Sequence, residues 1–242
     1  MKEIRFFYVP DTEASSELPD EEAMHASRVL RLSCGDNIFI TDGKGYFYEA
    51  TISEINKKHC FYNINNKIPQ QPLHKGWLHI AVAPTKSIER IEWFIEKATE
   101  IGIDEISILN TKFTERKNVR IERLEKIAVS AMKQSHKAWK PLINEMTNFN
   151  DFILKDYKAR KFICHCYDKD TDNNDFKFVK LKETLSQGDS VLVLIGPEGD
   201  FSIDEVMAAL GKGFQSLSLG ESRLRTETAA LVAVHLMNLF TE

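Results

Sequence analysis

Hydrophobic and polar positions change their period once along the chain. Up to about Gln71 they alternate in short runs, Ile4 to Val9, Asn37 to Thr41, Tyr46 to Ile55 and His59 to Ile64, rich in aromatic and β-branched residues. Asp42-Gly43-Lys44-Gly45 and Asn56-Lys57-Lys58 separate the runs with turn-forming residues. Strands this short and this closely spaced predict a small β-barrel. One helical stretch, Glu21 to Leu32, interrupts them, with His25, Val29 and Leu32 on one face and Arg28 and Arg31 beside it. Asn65 to Lys75, holding Pro69 and Pro72, predicts the linker.

Beyond the linker the period lengthens to that of a helix, and strands alternate with helices. Expected strands are Trp77 to Ala83, Glu105 to Leu109, Lys161 to Cys166, Ser190 to Ile195 and Gln215 to Leu219. Expected helices cover Ser87 to Ile101, Arg120 to Ala138, a stretch from Ile203, and Thr226 to Phe240. This alternation predicts an α/β domain with a largely parallel sheet. Ile88, Ile91, Phe94, Ile95, Ala98 and Ile101 make one apolar stripe that Gly102 ends as a left-handed cap would. Val191-Leu-Val-Leu-Ile195 is apolar throughout, as in a central strand covered on both faces.

Ligands of open α/β sheets collect at the carboxyl ends of strands, so two loops become candidates. The first is Gly196-Pro197-Glu198-Gly199-Asp200-Phe201. Pro197 ends the strand ladder, the glycines allow close approach of backbone to a ligand, and Ser202 with Glu205 forms a capping box for the next helix. The second runs from Leu219-Gly220 through Arg223 and Arg225 to Thr226, read as the cap of the last helix. Each is compatible with an ordinary polar turn or with a cleft around a flat ligand.

At 242 residues, 43% hydrophobic, the chain can bury a core in a small domain followed by a larger one. No apolar run reaches the roughly 20 residues that span a bilayer. Met1 to Phe7 lacks the core of a secretory signal, so a cytoplasmic location is expected. Four cysteines are too few for a disulfide scaffold. Cys164-His165-Cys166 resembles a metal fragment, but strand alternation puts both cysteines on one face and nothing completes a tetrahedral site, so no metal is expected.

The net charge of -4 hides an uneven distribution. Asp11 to Glu22 holds six acidic residues and no basic one, whereas Lys112 to Lys140 carries nine Lys or Arg against three Glu. The basic stretch fits a phosphate-facing surface or a solvated helix with pairs such as Glu122 to Lys126. No GxGxxG follows the first α/β strand, and GxxxxGK[ST], GxSxG and HExxH are absent, which disfavours common dinucleotide, P-loop, hydrolase and zinc-protease sites.

In order and spacing, Val193-Leu-Ile-Gly-Pro-Glu-Gly-Asp-Phe-Ser202, Leu217-Ser-Leu-Gly220 and Leu224-Arg-Thr-Glu-Thr-Ala229 resemble the knot motifs of the ribosomal small subunit methyltransferase E family of the SPOUT superfamily. Lys86 to Gly102, Thr114-Glu-Arg116, Lys133-Gln-Ser135, Pro141 and His25 to Arg31 resemble further family blocks, so the similarity spans almost the whole chain. It departs at His136-Lys137, where Gly-Arg is common in the family, and at Glu221-Ser-Arg223, where a more apolar stretch is common.

The resemblance implies an α/β trefoil-knot (SPOUT) methyltransferase domain at 72–242 preceded by a small PUA-like β-barrel RNA-binding domain at 1–71, in a homodimer. It implies S-adenosylmethionine as methyl donor and N3 of a uridine in 16S ribosomal RNA of the small ribosomal subunit as acceptor. The alternatives are another RNA acceptor, such as a ribose 2′-hydroxyl, and a noncatalytic RNA-binding or assembly protein. The donor would lie against Leu194, Ile195, Gly196, Pro197, Glu198, Gly199, Leu217, Leu219, Gly220, Leu224 and Arg225. Methylation at N3 needs the base unpaired and its proton removed, which suggests Arg225 as a cation favouring the uracil anion and Glu227 as base. Glu227 equally suits the first turn of a helix. RNA contacts are expected from Arg28, Arg31, Lys86, Arg90, Arg116, Gln134, Lys137 and Arg223.

Overall fold

The computed structural model of the chain describes residues 5–167 and 176–242, and Ile4, the expected start of the first strand, lies outside them. The chain forms two compact units, one of Met1–Pro72 with Val129–Lys140, the other of Leu73–Ala128 with Pro141–Glu242.

The first unit is built on a four-stranded sheet of β1 (Phe6–Tyr8), β2 (Asn37–Thr41), β3 (Tyr46–Ile55) and β4 (Cys60–Pro69), in that order. β1 and β2 run parallel and the other pairs antiparallel. Alternate residues of the strands face inward, so Phe7, Ile38, Ile40, Tyr48, Ala50, Ile52, Cys60 and Tyr62 share one core. Asp42 shapes the β2–β3 turn: its Oδ1 accepts from Lys44 N and Tyr46 N, and its Oδ2 accepts from the Tyr48 hydroxyl. β4 continues to Pro69, opposite Tyr46, and so takes up residues read as linker. Its far half alternates weakly because most of its residues face solvent, and a proline is tolerated at the end of an edge strand.

The helical stretch differs in phase from its sequence reading. α1 (Asp20–Met24) passes directly into a π turn, His25–Val29, closed by Leu30 N donating to His25 O at 3.0 Å. The extra residue in that turn rotates the following side chains. Ala23, Ala26 and Leu32 are buried, while Val29 is 66% exposed and His25 faces solvent. The unit also takes in Val129–Lys140, which the sequence reading left within the second domain. Lys140 N donates to Gly43 O and Gly45 N to Ala138 O, both at 2.9 Å, and Lys133 pairs with Glu22.

In the second unit six strands, all parallel, lie in the order β10 (Gln215–Leu217), β8 (Arg160–Cys164), β9 (Val191–Ile195), β5 (Leu78–Val82), β6 (Glu105–Asn110) and β7 (Leu142–Asn148). β5 and β9 are buried along their whole length, which is why β9 reads as an unbroken apolar run and β5 is broken only by His79. On one face Ile80, Val82, Val193 and Ile195 pack with α2 (Ile88–Ile101) and α7 (Thr226–Thr241) through Phe94, Ala98, Ala230 and Val234. On the other, Ala81, Leu192 and Leu194 pack with α4 (Phe149–Ile153) and α6 (Ile203–Gly211) through Phe152, Val206 and Ala209. α3 (Ile121–Gln134) sends Ile121, Leu124 and Ala128 into the first of these cores. A short α5 (Leu181–Thr184) completes the unit.

Gly102 ends α2 at φ 122° and ψ 114°, a positive φ outside the left-handed helical region named in the sequence reading. From β5 the chain moves outward to β6 and β7, then crosses over so that β9 enters between β8 and β5. The order of strands therefore reverses at the β5–β9 pair, where crevices for ligands open in sheets of this type.

Candidate functional site

The loops at the carboxyl ends of β5, β6, β9 and β10 carry most of the residues singled out in the second unit. After β9 the chain turns at Gly196, where a side chain would be crowded: a Cβ there would sit 3.1 Å from both Asp200 C and Phe201 N. Asp200 adopts φ 65°, tolerable for aspartate, and its carboxylate accepts from Phe201 N and Cys166 N, each at 2.7 Å. The predicted capping box starts α6, with Ser202 N donating to Glu205 Oε2 at 2.8 Å and Glu205 N to Ser202 Oγ at 3.4 Å.

Three residues assigned different roles from sequence meet in one charge cluster. Arg90 Nη1 lies 3.9 Å from Glu198 Oε1, and Arg90 Nε lies 3.9 Å from Glu227 Oε1. Glu198 Oε1 also accepts from Lys86 N at 3.1 Å. The Glu227 side chain is only 10% exposed, and its Oε2 is buried without a hydrogen-bond partner. A buried carboxylate oxygen left unpaired is costly, so this atom is a ready acceptor for a ligand's polar group.

Arg116 is tied back onto neighbouring backbone. Its Nη2 donates to Lys86 O at 2.6 Å and its Nε to Thr85 O at 3.3 Å, tying the loop after β5 to the loop after β6. Lys86 Nζ pairs with Glu115 at 3.2 Å in solvent. In the first unit Arg28, Arg31 and Gln134 are exposed, with Arg31 at φ 52°, whereas Lys137 is half-buried and burial holds its ammonium below the usual lysine range.

Ile195, Leu217 and Leu219 belong to the core between the sheet and α2 and α7, with Leu219 only partly covered. Leu194 points into the opposite core and pairs through its backbone with strands on both sides, so its side chain supports the sheet. Gly196 and Pro197 are buried, Glu198 and Gly199 exposed. Gly220 lies three residues past the end of β10 at φ 121°, not at the strand's end as read from sequence. Arg225, rather than Thr226, is the N-cap of α7, with no side-chain bond, because Thr226 is already helical and buried. Arg223 and Arg225 are exposed and Leu224 is half-buried.

Cys166 also departs from its reading. β8 stops at Cys164, so Cys166 is exposed in the following loop instead of sharing a buried strand face. Burial raises the Cys164 thiol, and burial followed by the Asp200 carboxylate raises that of Cys166. His165 between them is buried, with its Nε2 2.8 Å from Ser216 Oγ and its pKa lowered by burial. Among the described residues no group of three His, Cys, Asp or Glu is placed to hold a metal ion, and no helix is long and apolar enough to cross a membrane.

A parallel sheet with glycine-bearing loops at the reversal of its strand order, together with a small mixed-sheet unit, defines an α/β ligand-binding protein with an accessory β module. Residues 71–238 match the family described as RNA methyltransferase domain, and residues 18–64 the one described as RNA methyltransferase PUA domain. Over 233 residues the chain is 30% identical to ribosomal RNA small subunit methyltransferase E of Buchnera aphidicola (subsp. Acyrthosiphon pisum), covering 90% of this chain and 85% of that one. The same-named protein of Rickettsia conorii is 29% identical over 216 residues, 89% of this chain and 85% of its own. Among solved structures, a protein of Porphyromonas gingivalis described as an rRNA methyltransferase superposes with a TM-score of 0.91 at 42% identity, with 98% of each chain covered. One from Legionella pneumophila, described as a methyltransferase in complex with the bound cofactor SAM, gives 0.86 at 26% identity, again with 98% of each chain covered. The chain belongs to the RNA methyltransferase family, and within it to the ribosomal RNA small subunit methyltransferase E group.

Proposed function

We propose that this protein methylates N3 of a uridine in 16S ribosomal RNA of the small ribosomal subunit, with S-adenosylmethionine as donor. The names of its relatives support the small-subunit RNA, and the SAM held by the Legionella neighbour supports the donor. The observation that carries the reading is the buried, partner-free Glu227 Oε2 at the edge of the Gly-Pro-Glu-Gly loop cluster.

The residues present fit a donor of this kind. Gly196 keeps the backbone after β9 free of a side chain, and half-covered Leu219 offers apolar surface above the buried Ile195 and Leu217. With Pro197, Glu198, Gly199, Gly220 and Leu224 they would hold it. When bound, S-adenosylmethionine supplies an electrophilic methyl group on a sulfonium.

The chain's own residues then position the acceptor and manage its proton. The exposed Arg225 guanidinium favours the anionic uracil, and Glu227 Oε2 accepts the N3 proton. Arg90, between Glu198 and Glu227, keeps the two carboxylates apart and in place. Arg28, Arg31, Gln134, Lys137, Lys86 and Arg223 would meet the RNA. Entry of β9 between β8 and β5 supports a trefoil-knotted SPOUT domain over 72–242, preceded by a PUA-like barrel over 1–71. The resemblance to the family supports a homodimer working in the cytoplasm.

Single-turnover methyl transfer to small-subunit RNA, with products identified by nucleoside mass spectrometry, tests this. N3-methyluridine is expected, with rates lowered about 100-fold or more in Arg225→Ala and less in Glu227→Gln. Wild-type rates in both variants would remove these two roles, and a 2′-O-methylated product would reassign the acceptor.

A further inference from the structure

We propose that Phe113 is a stacking platform for an unpaired nucleobase of the RNA substrate, an inference that rests on the methyltransferase reading above. Phe113 sits in the loop after β6, between Lys112 and the Thr114-Glu-Arg116 block, and has no part in the charge cluster of Arg90, Glu198 and Glu227. The residue is 44% exposed. An aromatic side chain left half in water gives up much of the gain of burial, so a partner that covers it would restore that gain.

The loop holding it is built to be rigid. Thr111 and Thr114 are buried, with Thr111 N donating to Thr114 Oγ1 at 2.9 Å and their hydroxyls 2.8 Å apart. Lys112 N donates to Glu205 Oε1 at 2.8 Å, and Glu205 is the residue that closes the capping box of α6. The loop after β9 passes close to the base of the side chain: a Cβ on Gly199 would lie 3.1 Å from Phe113 Cβ. Phe113 is thus held in place before any ligand arrives, which spares the ordering cost of binding.

Its surroundings suit a nucleic-acid strand better than an apolar partner. Phe113, Lys112, Thr114, Glu115, Glu198 and Gly199 line an open cleft of about 430 Å³. Lys112 Nζ lies 5.7 Å from the ring centroid. The acidic groups each have a cation beside them: Glu115 has Lys86, Glu198 has Arg90, and Asp204 has Lys112 at 3.9 Å. Because these cations are already paired, the contact falls to the ring: an exposed, fixed aromatic in a polar cleft is the arrangement on which an unpaired base stacks, whatever its sequence. The ring borders the loop of the proposed methyl-transfer site, and N3 methylation requires unpaired substrate.

The full-length protein would be titrated into a single-stranded RNA oligonucleotide carrying one 2-aminopurine, whose fluorescence falls when it stacks on an aromatic ring. Affinity for S-adenosylmethionine would be measured by calorimetry on the same samples. Phe113→Ala and Phe113→Leu are expected to lose the quenching and roughly tenfold or more in RNA affinity, Phe113→Tyr to retain both, and donor affinity to stay unchanged in all three. Quenching retained in the leucine variant, or donor affinity falling in step with RNA affinity, would overturn the platform. Absence of methyl transfer in the unmutated protein would sink the functional reading instead, and quenching would still decide the role of Phe113.

Discussion

The two edges of the parallel sheet treat polar groups in opposite ways. At the amino ends of β5, β6 and β7 a side-chain network around buried His79 and Ser107 closes on itself: His79 Nε2 is 2.9 Å from Ser107 Oγ, and Asn144 Nδ2 donates to Ser107 Oγ at 2.9 Å and Glu105 Oε1 at 2.6 Å. Trp77 Nε1 donates to Glu105 Oε2 at 2.8 Å, and His79 Nδ1 stands 3.7 Å from the same oxygen. At the carboxyl ends Arg90 reaches its two carboxylates only at 3.9 Å, and both Glu227 Oε2 and His165 Nδ1 are buried without partners. Closed networks support a fold, whereas open ones leave bonding capacity for a ligand. Ser107, His79 and Glu105 have the chemistry of a hydrolytic triad, yet Ser107 and His79 are sealed in the core with no room for a substrate.

The largest effect that would sharpen this contrast is on stability. Burial lowers the His79 pKa from 6.5 to about 4, with Glu105 opposing and Lys155 adding to the shift. Above pH 6.5 the imidazole is neutral in both folded and unfolded chains. Between 6.5 and about 4 only the unfolded chain takes the proton, so stability drains away as pH falls through that window, by on the order of 3 kcal/mol. Denaturant midpoints measured across it for the wild type and His79→Asn should converge towards low pH. Parallel curves would mean that the network at this edge is not closed to protons.

How much of this contrast was legible in sequence depends on how each feature is encoded. β9 and its loop were readable because full burial makes an unbroken apolar run and a tight turn needs glycine and proline, both local requirements. The capping box of Ser202 and Glu205 was readable for the same reason. β7 was not, since an edge strand with Leu142 half exposed loses the alternation that marks a strand. The π turn at His25–Val29 adds one residue to a turn without any compositional mark, and it misplaced Val29. Arg90, Glu198 and Glu227 are far apart in the chain, so only the fold could show that they form one cluster. Phe113 carries no mark in the sequence, since only its exposure in the fold distinguishes it from a core aromatic.

At the open edge the next effect in size concerns backbone approach. Gly196→Ala would force a methyl against Asp200 C and Phe201 N at 3.1 Å, both main-chain atoms with little freedom to move, and should cost about 1–2 kcal/mol of loop strain. Calorimetric titration with S-adenosylmethionine should show about tenfold weaker binding, while the pH window of His79 stays where it was. A loss of global stability with donor binding intact would place the loop in the scaffold and not in the site.

The smallest effect bears on Arg116, where the sequence and the structure assign different work. If its guanidinium serves the loop by donating to Thr85 O and Lys86 O, Arg116→Ala removes two partly solvated bonds worth about 1 kcal/mol together. Donor affinity should then drop a few-fold, since the loop after β5 borders the reversal of strand order. A phosphate contact predicts something else: the slope of log affinity for RNA against log salt should fall by nearly one in the variant. Salt titrations of both proteins against the same RNA therefore separate the two roles. We expect parallel slopes with a uniform offset, because a guanidinium already engaged by two carbonyl oxygens has little left to offer a phosphate.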